Sequence, residues 1–450
     1  MSAFANIWKI KELKSRILFT LGLVVICRFI STVPTPGVDI APIQRFVESM
    51  RETGGGFMGL FDIFSGGALA QCSVGMLSIW PYITASIVIQ LMTAIIPSLE
   101  KMAREGDVGR QKLNQTTRYL TLIICAVQAF FLATMLENPQ MLGIPEQIVL
   151  IPGFGFRILT VITVTAATML TMWLAEQITE RGIGNGTSII IMINIIAGLP
   201  SAIMQCASKF FPTGNQPAEW NLFYLVFILA LAFFVFAGTI ALTQGVRRIP
   251  ICTARRSVGG RSAVAGTNTS YMPLRVNFGG VMPIIFAGPI LQAFGWLLSK
   301  IKIGFIEDFG KSLLGGQDAV FLVIYSILIV FFSFFWVATQ FHAIRIADDL
   351  KNSQGYIPGI RPGQPTAEFL DMTMTRVTLI GAIGLVVIAV LPQILQQWTN
   401  IPVGMARYLG GTSLLIIVGV ALDVMRQIEA YLVMQNYDGF LKHGKLRGRR

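Results

Sequence analysis

Acid–base or nucleophilic catalysis near neutral pH draws first on histidine and cysteine. This chain of 450 residues has two histidines, His342 and His443, and five cysteines, Cys27, Cys72, Cys125, Cys206 and Cys252. No H-E-x-x-H, G-x-S-x-G or C-x-x-C occurs among them or around any serine, so the zinc-protease, serine-hydrolase and dithiol chemistries have no sequence basis. The cysteines read as small packing residues with no disulfide, and neither a metal nor a cofactor is expected. The glycine-rich RGIGNGTS (181–188) lacks the Lys-Ser/Thr ending of a phosphate loop and joins two apolar segments rather than following a strand. It reads as a tight turn with Thr187 or Ser188 capping the next helix.

Ionisable groups inside apolar segments are the next place to look for chemistry. The spans offer few: Arg28, near the outer end of the first, and Asp423 and Arg426, near the inner end of the last, where snorkelling or pairing is the commoner role. A secondary transporter is the alternative, because inverted repeats and broken helices suit it, but coupled transport places ionisable groups at mid-membrane and these segments offer few. A polar solute would find little to bind here.

The elements that carry these residues are apolar. Hydrophobic residues make up 54% and charged residues 13% of the chain, against about 25% charged in an average soluble domain. Crossing about 30 Å of hydrocarbon takes about 20 helical residues, and ten such spans are expected: 17–34, 74–97, 117–136, 156–175, 187–206, 222–243, 279–299, 319–341, 376–395 and 411–432. The fold class is therefore all-α and polytopic. With Arg157 and Arg407 at span ends set aside, alternate loops hold 23 and 6 lysines and arginines, which puts both termini on the cytoplasmic side. The first span follows Lys9, Lys11, Lys14 and Arg16 without a small-residue cleavage site, so it is expected to be retained. The net charge of +12 gathers on 244–278, with Arg247, Arg248, Arg255, Arg256 and Arg261, and on the tail KHGKLRGRR. Anionic lipid, phosphate backbone or an acidic protein face would suit such charge.

The chain echoes itself. WPYITASIVIQ (80–90) matches MPIIFAGPILQ (282–292) at an offset of 202, pairing Pro81 with Pro283, Ile83 with Ile285 and Gln90 with Gln292. GTSIII (186–191) matches GTSLLI (411–416) at an offset of 225 and pairs Ile191 with Ile416. Five spans per half force the second half to run inverted, so two halves, 1–206 and 207–450, are expected about a pseudo-twofold axis in the membrane plane. Between the first two spans, FSGGALAQCS (64–73) carries more helix weakeners than a lipid-facing backbone tolerates. It should line water or lie against protein.

The motifs PTPGVD (34–39), FSGGAL (64–69), PYITASIVIQLM (81–92), EGDVGRQK (105–112), LAEQITERGIGNGTSIII (174–191), PLRVNFGGVMPIIFA (273–287), ADDLK (347–351), GYIPGIRPG (355–363) and GGTSLLI (410–416) resemble the SecY family. They fall in order along nearly the whole chain. The resemblance implies a protein-conducting channel that passes unfolded secretory polypeptides across the bacterial inner membrane and releases transmembrane segments sideways into lipid. It implies a plug at about 59–73, a short re-entrant half-helix containing Phe64, Ser65, Gly66, Gly67, Ala68, Leu69, Gln71 and Cys72. It places the pore ring on Ile79, Ile83, Ile191, Ile285 and Ile416, with Thr187 at a sixth position where relatives often carry isoleucine. Thr84, Ser86 and Gln90 become polar contacts of the lateral gate. The family's expected partners are SecE and SecG in the membrane, SecA or a ribosome on the cytoplasmic loops 244–278 and 342–375, signal peptides and nascent chains in the pore, and lipid around it. Contact with SecA or the ribosome falls on Arg247, Arg248, Arg255, Arg256, Arg261 and, in GIRPG, Arg361. The chain itself is expected to be no enzyme, with energy supplied by partners. A β-branched apolar ring suits such a pore because it excludes water without binding any one substrate side chain.

Overall fold

The computed structural model describes residues 10–52, 65–139, 146–210, 222–253, 269–301, 304–315, 318–399 and 401–443. Phe64, Arg255, Arg256 and Arg261 lie outside them, as do residues 59–63 of the expected plug. Among the described residues, eight helices are long and apolar enough to cross a membrane, or nine if the bent pair Trp80–Thr93 and Pro97–Ala103 counts as one span. The remaining expected span, 17–34, corresponds to a 20-residue helix, Lys11–Ile30. Lys14, Arg16 and Arg28 keep it from being uniformly apolar.

The chain divides into two compact units. The first comprises Met1–Pro217, Pro402–Met405 and Ile416–Arg450. Its helices are α1 (Lys11–Ile30), α2 (Ile40–Glu52), α3 (Trp80–Ile95), α4 (Pro97–Arg104), α5 (Asp107–Glu137), α6 (Phe154–Arg181), α7 (Gly186–Ala197) and α8 (Leu199–Phe210). A single continuous helix was expected over 74–97; the structure shows turns up to Ile79, then α3, then a 104° bend into α4. The cause is local, since Pro97 disfavours helical geometry at Ile96, which is extended at φ −97°, ψ 114°.

Small side chains let α5 and α6 approach closely. Thr117, Thr121, Cys125, Ala129 and Ala133 recur every fourth residue of α5, all buried, the spacing by which membrane helices pack without a hydrophobic drive. Arg118 of α5 donates from Nε and Nη2 to both carboxylate oxygens of Glu176 on α6, at 2.8 and 2.7 Å. At the other end of the hairpin, Arg157 Nε donates to Glu137 Oε2 at 2.6 Å. All five cysteines are free.

The C-terminal helix α16 (Gly411–His443) contributes its length from Ile416 onward to this unit. Gly184 N donates to Gln427 Oε1 at 2.7 Å, and Arg16 Nη1 donates to the Tyr431 hydroxyl at 3.2 Å. The 181–188 turn is thus clasped by α16 on one side and by Thr20 on the other, whose Oγ1 accepts from Ile183 N. A Cβ on Gly186 would collide with the Ala175 carbonyl of α6. Gly186→Ala should therefore destabilise the unit by about 2 kcal/mol, read as a fall of several degrees in Tm in detergent; an unchanged Tm would mean that α7 shifts at little cost.

The second unit comprises Ala218–Ile401 and Ala406–Leu415. It holds α9 (Leu222–Gln244), α10 (Met282–Ser299), α11 (Gly304–Gly315), α12 (Ala319–Gln340), α13 (Ala343–Asn352), α14 (Gln364–Thr399) and the second half of α15 (Val403–Tyr408). Helix α9 leaves Phe223, Phe233 and Phe234 bare, a surface suited to lipid. The stretches 244–278 and 342–375, expected as loops, instead build a three-stranded antiparallel sheet in the order β2-β1-β3: β1 (Val246–Thr253), β2 (Thr269–Arg275) and β3 (Gly355–Tyr356). Val246 pairs with Arg275 and Cys252 pairs with both Thr269 and Tyr356. Ile249 and Leu274 drive this folding, for they are buried with Ile357, Leu370 and Met374 in one apolar cluster.

Candidate functional site

Helix α3 begins with Pro81 in its first turn, where a missing N–H costs nothing. Its N-cap, Ile79, has φ −93°, ψ 2°, and Ser78 before it is forced to a positive φ of 47°. That kink turns Ile79 inward, 2% exposed. The repeat is visible in the backbone: α10 also begins at an offset of 202, with Val281 as N-cap at φ −92°, ψ −9° and Pro283 in the first turn. Likewise α7 starts at Gly186 and α16 at Gly411, an offset of 225.

Within the first unit, Ile79 and Ile83 of the α3 entrance meet Ile191 of α7 and Ser65 around one small cavity, together with Leu77, Ser78 and Trp80. Its volume of about 10 Å³ holds at most about one water. Three of the expected ring residues and Ser65 of the expected plug thus share one mostly apolar pocket. Thr187 is occupied elsewhere: its Oγ1 donates to Asn185 Oδ1 at 2.6 Å, and the same oxygen accepts from Thr187 N at 3.1 Å. Asn185, not Thr187 or Ser188, is the cap of α7. Ile416 is buried at 3% in the second turn of α16, and Ile285 at 9% in the first turn of α10.

The described part of the plug segment departs from the half-helix expectation. From Gly66 to Cys72 it runs in turns, because Gly66, Gly67 and Cys72 take positive φ of 71°, 84° and 43°, values that break a right-handed helix. Ala68, Leu69 and Cys72 are buried and Gln71 is exposed. Leu69 and Cys72 pack in a cluster with Met76, Leu77, Cys125 and Ala129. Ser73 closes the segment in a bridge to Pro34, with Thr35 N donating to the Cys72 carbonyl at 2.8 Å. The segment therefore lies against protein, as its composition required.

One polar network was missed. Arg28, in the last turn of α1, donates from Nη1 to the Gly66 carbonyl at 3.0 Å and to Asn194 Oδ1 at 3.5 Å. Asn194 of α7 is 3% exposed and donates from Nδ2 to Ser78 Oγ at 3.0 Å. The sequence suggests snorkelling or pairing for Arg28 without naming these partners; the lone Asn194 inside IIIMINIIAG is the signal it offers.

The polar side chains expected at the lateral gate bond within α3. Thr84 Oγ1 donates to the Trp80 carbonyl at 3.1 Å, and Gln90 Nε2 to Ser86 Oγ at 3.3 Å.

On the second unit, Arg247 and Arg248 are exposed on β1. Arg361 is exposed at the tip of a turn that is firmly held. Ile360 before it is packed in the sheet's apolar cluster, Thr366 Oγ1 donates to the Arg361 carbonyl at 2.8 Å, and Gly359 and Gly363 flank it at φ 84° and 104°. A groove of about 750 Å³ beside this turn, lined by Gly363, has Asp348, Glu368 and Asp371 on its walls. Among the described residues no three His, Cys, Asp or Glu side chains gather into a metal-binding group.

Comparison with known proteins adds the following. The SecY family model matches residues 73–425. "Protein translocase subunit SecY" of Thermotoga maritima is 41% identical across all of this chain and 99% of its own length. The protein of that name in Escherichia coli K12 is 40% identical over 97% of this chain and 96% of its own. Among solved structures, "The structure of a protein conducting channel" aligns with a TM-score of 0.56 at 16% identity, covering 93% of this chain and 92% of that one. "Sec61 in the Canine ribosome-channel complex from the endoplasmic reticulum" aligns at 0.55 and 16% with the same coverages. At that identity the structures speak to the shared fold alone.

Proposed function

The chain belongs to the SecY family of protein translocase subunits, and from that membership we propose that it is the channel through which unfolded secretory polypeptides cross the bacterial inner membrane. It is a multi-pass membrane protein. In this reading both termini are cytoplasmic, and transmembrane segments leave sideways past Thr84, Ser86 and Gln90. The observation that carries the reading is the small pocket shared by Ser65, Ile79, Ile83 and Ile191, where three ring positions meet a plug residue; in this reading it is the first unit's share of an aliphatic pinch that hydrated ions do not pass. A dewetted constriction of this kind excludes ions at rest and does not commit to any passing side chain.

The ring is completed by Thr187, Ile285 and Ile416. With Thr187 tied to Asn185, its methyl group rather than its hydroxyl is available to the pore, which keeps that position apolar. The matching helix starts at offsets of 202 and 225 support two inverted halves, 1–206 and 207–450. Driving energy comes from partners: SecA or a ribosome on the sheet and the Arg361 turn, where Arg247, Arg248 and Arg361 are exposed, joined by Arg255, Arg256 and Arg261. SecE and SecG complete the complex in the membrane. A ribosome partner is supported by the likeness to Sec61 in a ribosome–channel complex.

Vesicles reconstituted with the chain, its membrane partners and the ATPase test this directly. A secretory precursor should become protease-protected only when ATP and all components are present. Uptake of a small solute without precursor transport would instead favour the transporter alternative and overturn the proposal.

A further inference from the structure

A guanidinium buried among apolar helices is costly unless something depends on it. Arg28 is half-buried near the end of α1, and among the described residues no carboxylate stands within ion-pair distance of it. Its guanidinium reaches instead to the Gly66 carbonyl and the Asn194 side-chain oxygen. Asn194 in turn donates to Ser78, the residue whose positive φ sets the inward turn of Ile79. One charged side chain therefore ties together the Gly66 turn, the helix that carries Ile191, and the entrance of the helix that carries Ile79 and Ile83.

We propose that Arg28 is the positioning residue of the gate, latching the Gly66 carbonyl of the plug segment to α7 and, through Asn194 and Ser78, to the apolar pinch beneath it. The inference rests on the plug reading above. Gly66 is built for this contact. A Cβ there would collide with Arg28 Nη1 and come within 3.1 Å of the Asn194 backbone, whereas a Cβ on Gly67 would meet nothing within 4 Å. Both glycines have positive φ, so the two positions share backbone strain and differ in the latch. A bond from a charged donor to a carbonyl is stronger than a neutral one, so lifting the segment costs Arg28 that acceptor and leaves it the longer contact to Asn194. The plug's position is thereby tied to the ring's.

Cys72, 1% exposed and within the same segment, is a native reporter of lifting, and the melting midpoint in detergent reports general loosening. The experiment uses a single-cysteine chain keeping Cys72, in right-side-out vesicles with membrane partners present, labelled by a membrane-impermeant maleimide. Arg28→Gln and Gly66→Ala should raise the Cys72 labelling rate about tenfold, equivalent to about 1.4 kcal/mol and on the scale of one hydrogen bond to a charged group. Gly67→Ala should raise it less, and Arg28→Lys should recover part of the protection. Unchanged Cys72 labelling in Arg28→Gln and Gly66→Ala overturns the latch, and so does labelling that merely tracks the fall in Tm across all the variants, Gly67→Ala included, which marks a merely structural role. Faster Cys72 labelling in vesicles that transport no precursor leaves the latch standing and removes the channel reading. Unchanged labelling with intact transport does the reverse.

Discussion

Resting ion conductance rises about a hundredfold when Ile83→Gly and Ile191→Gly are combined with removal of residues 65–72. Ile83 and Ile191 face the same pocket as Ser65, so the pinch and the segment above it are two barriers in series. Glycine at both positions opens a dewetted gap to water, and water brings ions with it. A hundredfold increase corresponds to about 2.7 kcal/mol off the barrier, about the burial free energy of one or two aliphatic side chains. Each lesion alone leaks less than the pair, because the remaining barrier still holds. Removing 65–72 also takes Leu69 and Cys72 out of a packed cluster, so the substitutions without the deletion serve as the second arm: they touch no backbone, and they alone should leak measurably in planar bilayers. Conductance at the parent level in the double substitution and in the combined lesion would show that the pocket is only helix packing.

The second large effect concerns the cytoplasmic face. Arg361→Glu lowers ATPase-driven precursor transport by about a hundredfold or more while insertion, fold and partner assembly persist. Arginines at interface centres are worth about 2–4 kcal/mol on truncation, and reversal of charge adds repulsion. The fold should not notice. Arg361 is exposed, and the turn that presents it is held by the Ile360 side chain, the Thr366 hydroxyl bond to the backbone and the strand pairing of β3 with β1, none of which uses the guanidinium. Transport assays in inverted vesicles, with size-exclusion elution as the control for assembly, separate the two. Parent-level transport by that variant would remove Arg361 from the docking surface.

How much of this was legible in the sequence depends on how local each signal was. Helix starts at Trp80 and Met282 follow from a proline in the first turn, and the cap of α7 follows from an Asn-Gly-Thr-Ser run; such signals act within one turn of helix. The cap itself falls on Asn185 rather than on the expected Thr187 or Ser188, since all three side chains are competent caps. The bend at Ile96 was equally local, yet the apolar run through Pro97 masked it. The sheet was hidden for the opposite reason. Arg247, Arg248 and Pro250 read as a charged loop, and β1 becomes a strand only when β2 and β3 arrive to pair with it. In the plug segment, Ser65 is helical and the helix stops there: Gly66, Gly67 and Cys72 in left-handed geometry break it over 66–72, a local signal that those glycines carry. For the Arg28 network the sequence marks Asn194 as a lone polar residue but not its partners, because Arg28 reaches across 38 and 166 residues and Asn194 meets Ser78 across 116.

The most direct measurement places a photo-crosslinking residue at position 83 or 191, on the pinch, and at position 233, on the exposed face of α9, then arrests a secretory precursor midway through transport. If the chain is the conduit, light should join the precursor to positions 83 and 191 and leave position 233 uncrosslinked. An arrested, protease-protected precursor that crosslinks at neither 83 nor 191 would mean that polypeptide crosses elsewhere, and the account of this site as a protein-conducting pore would be wrong.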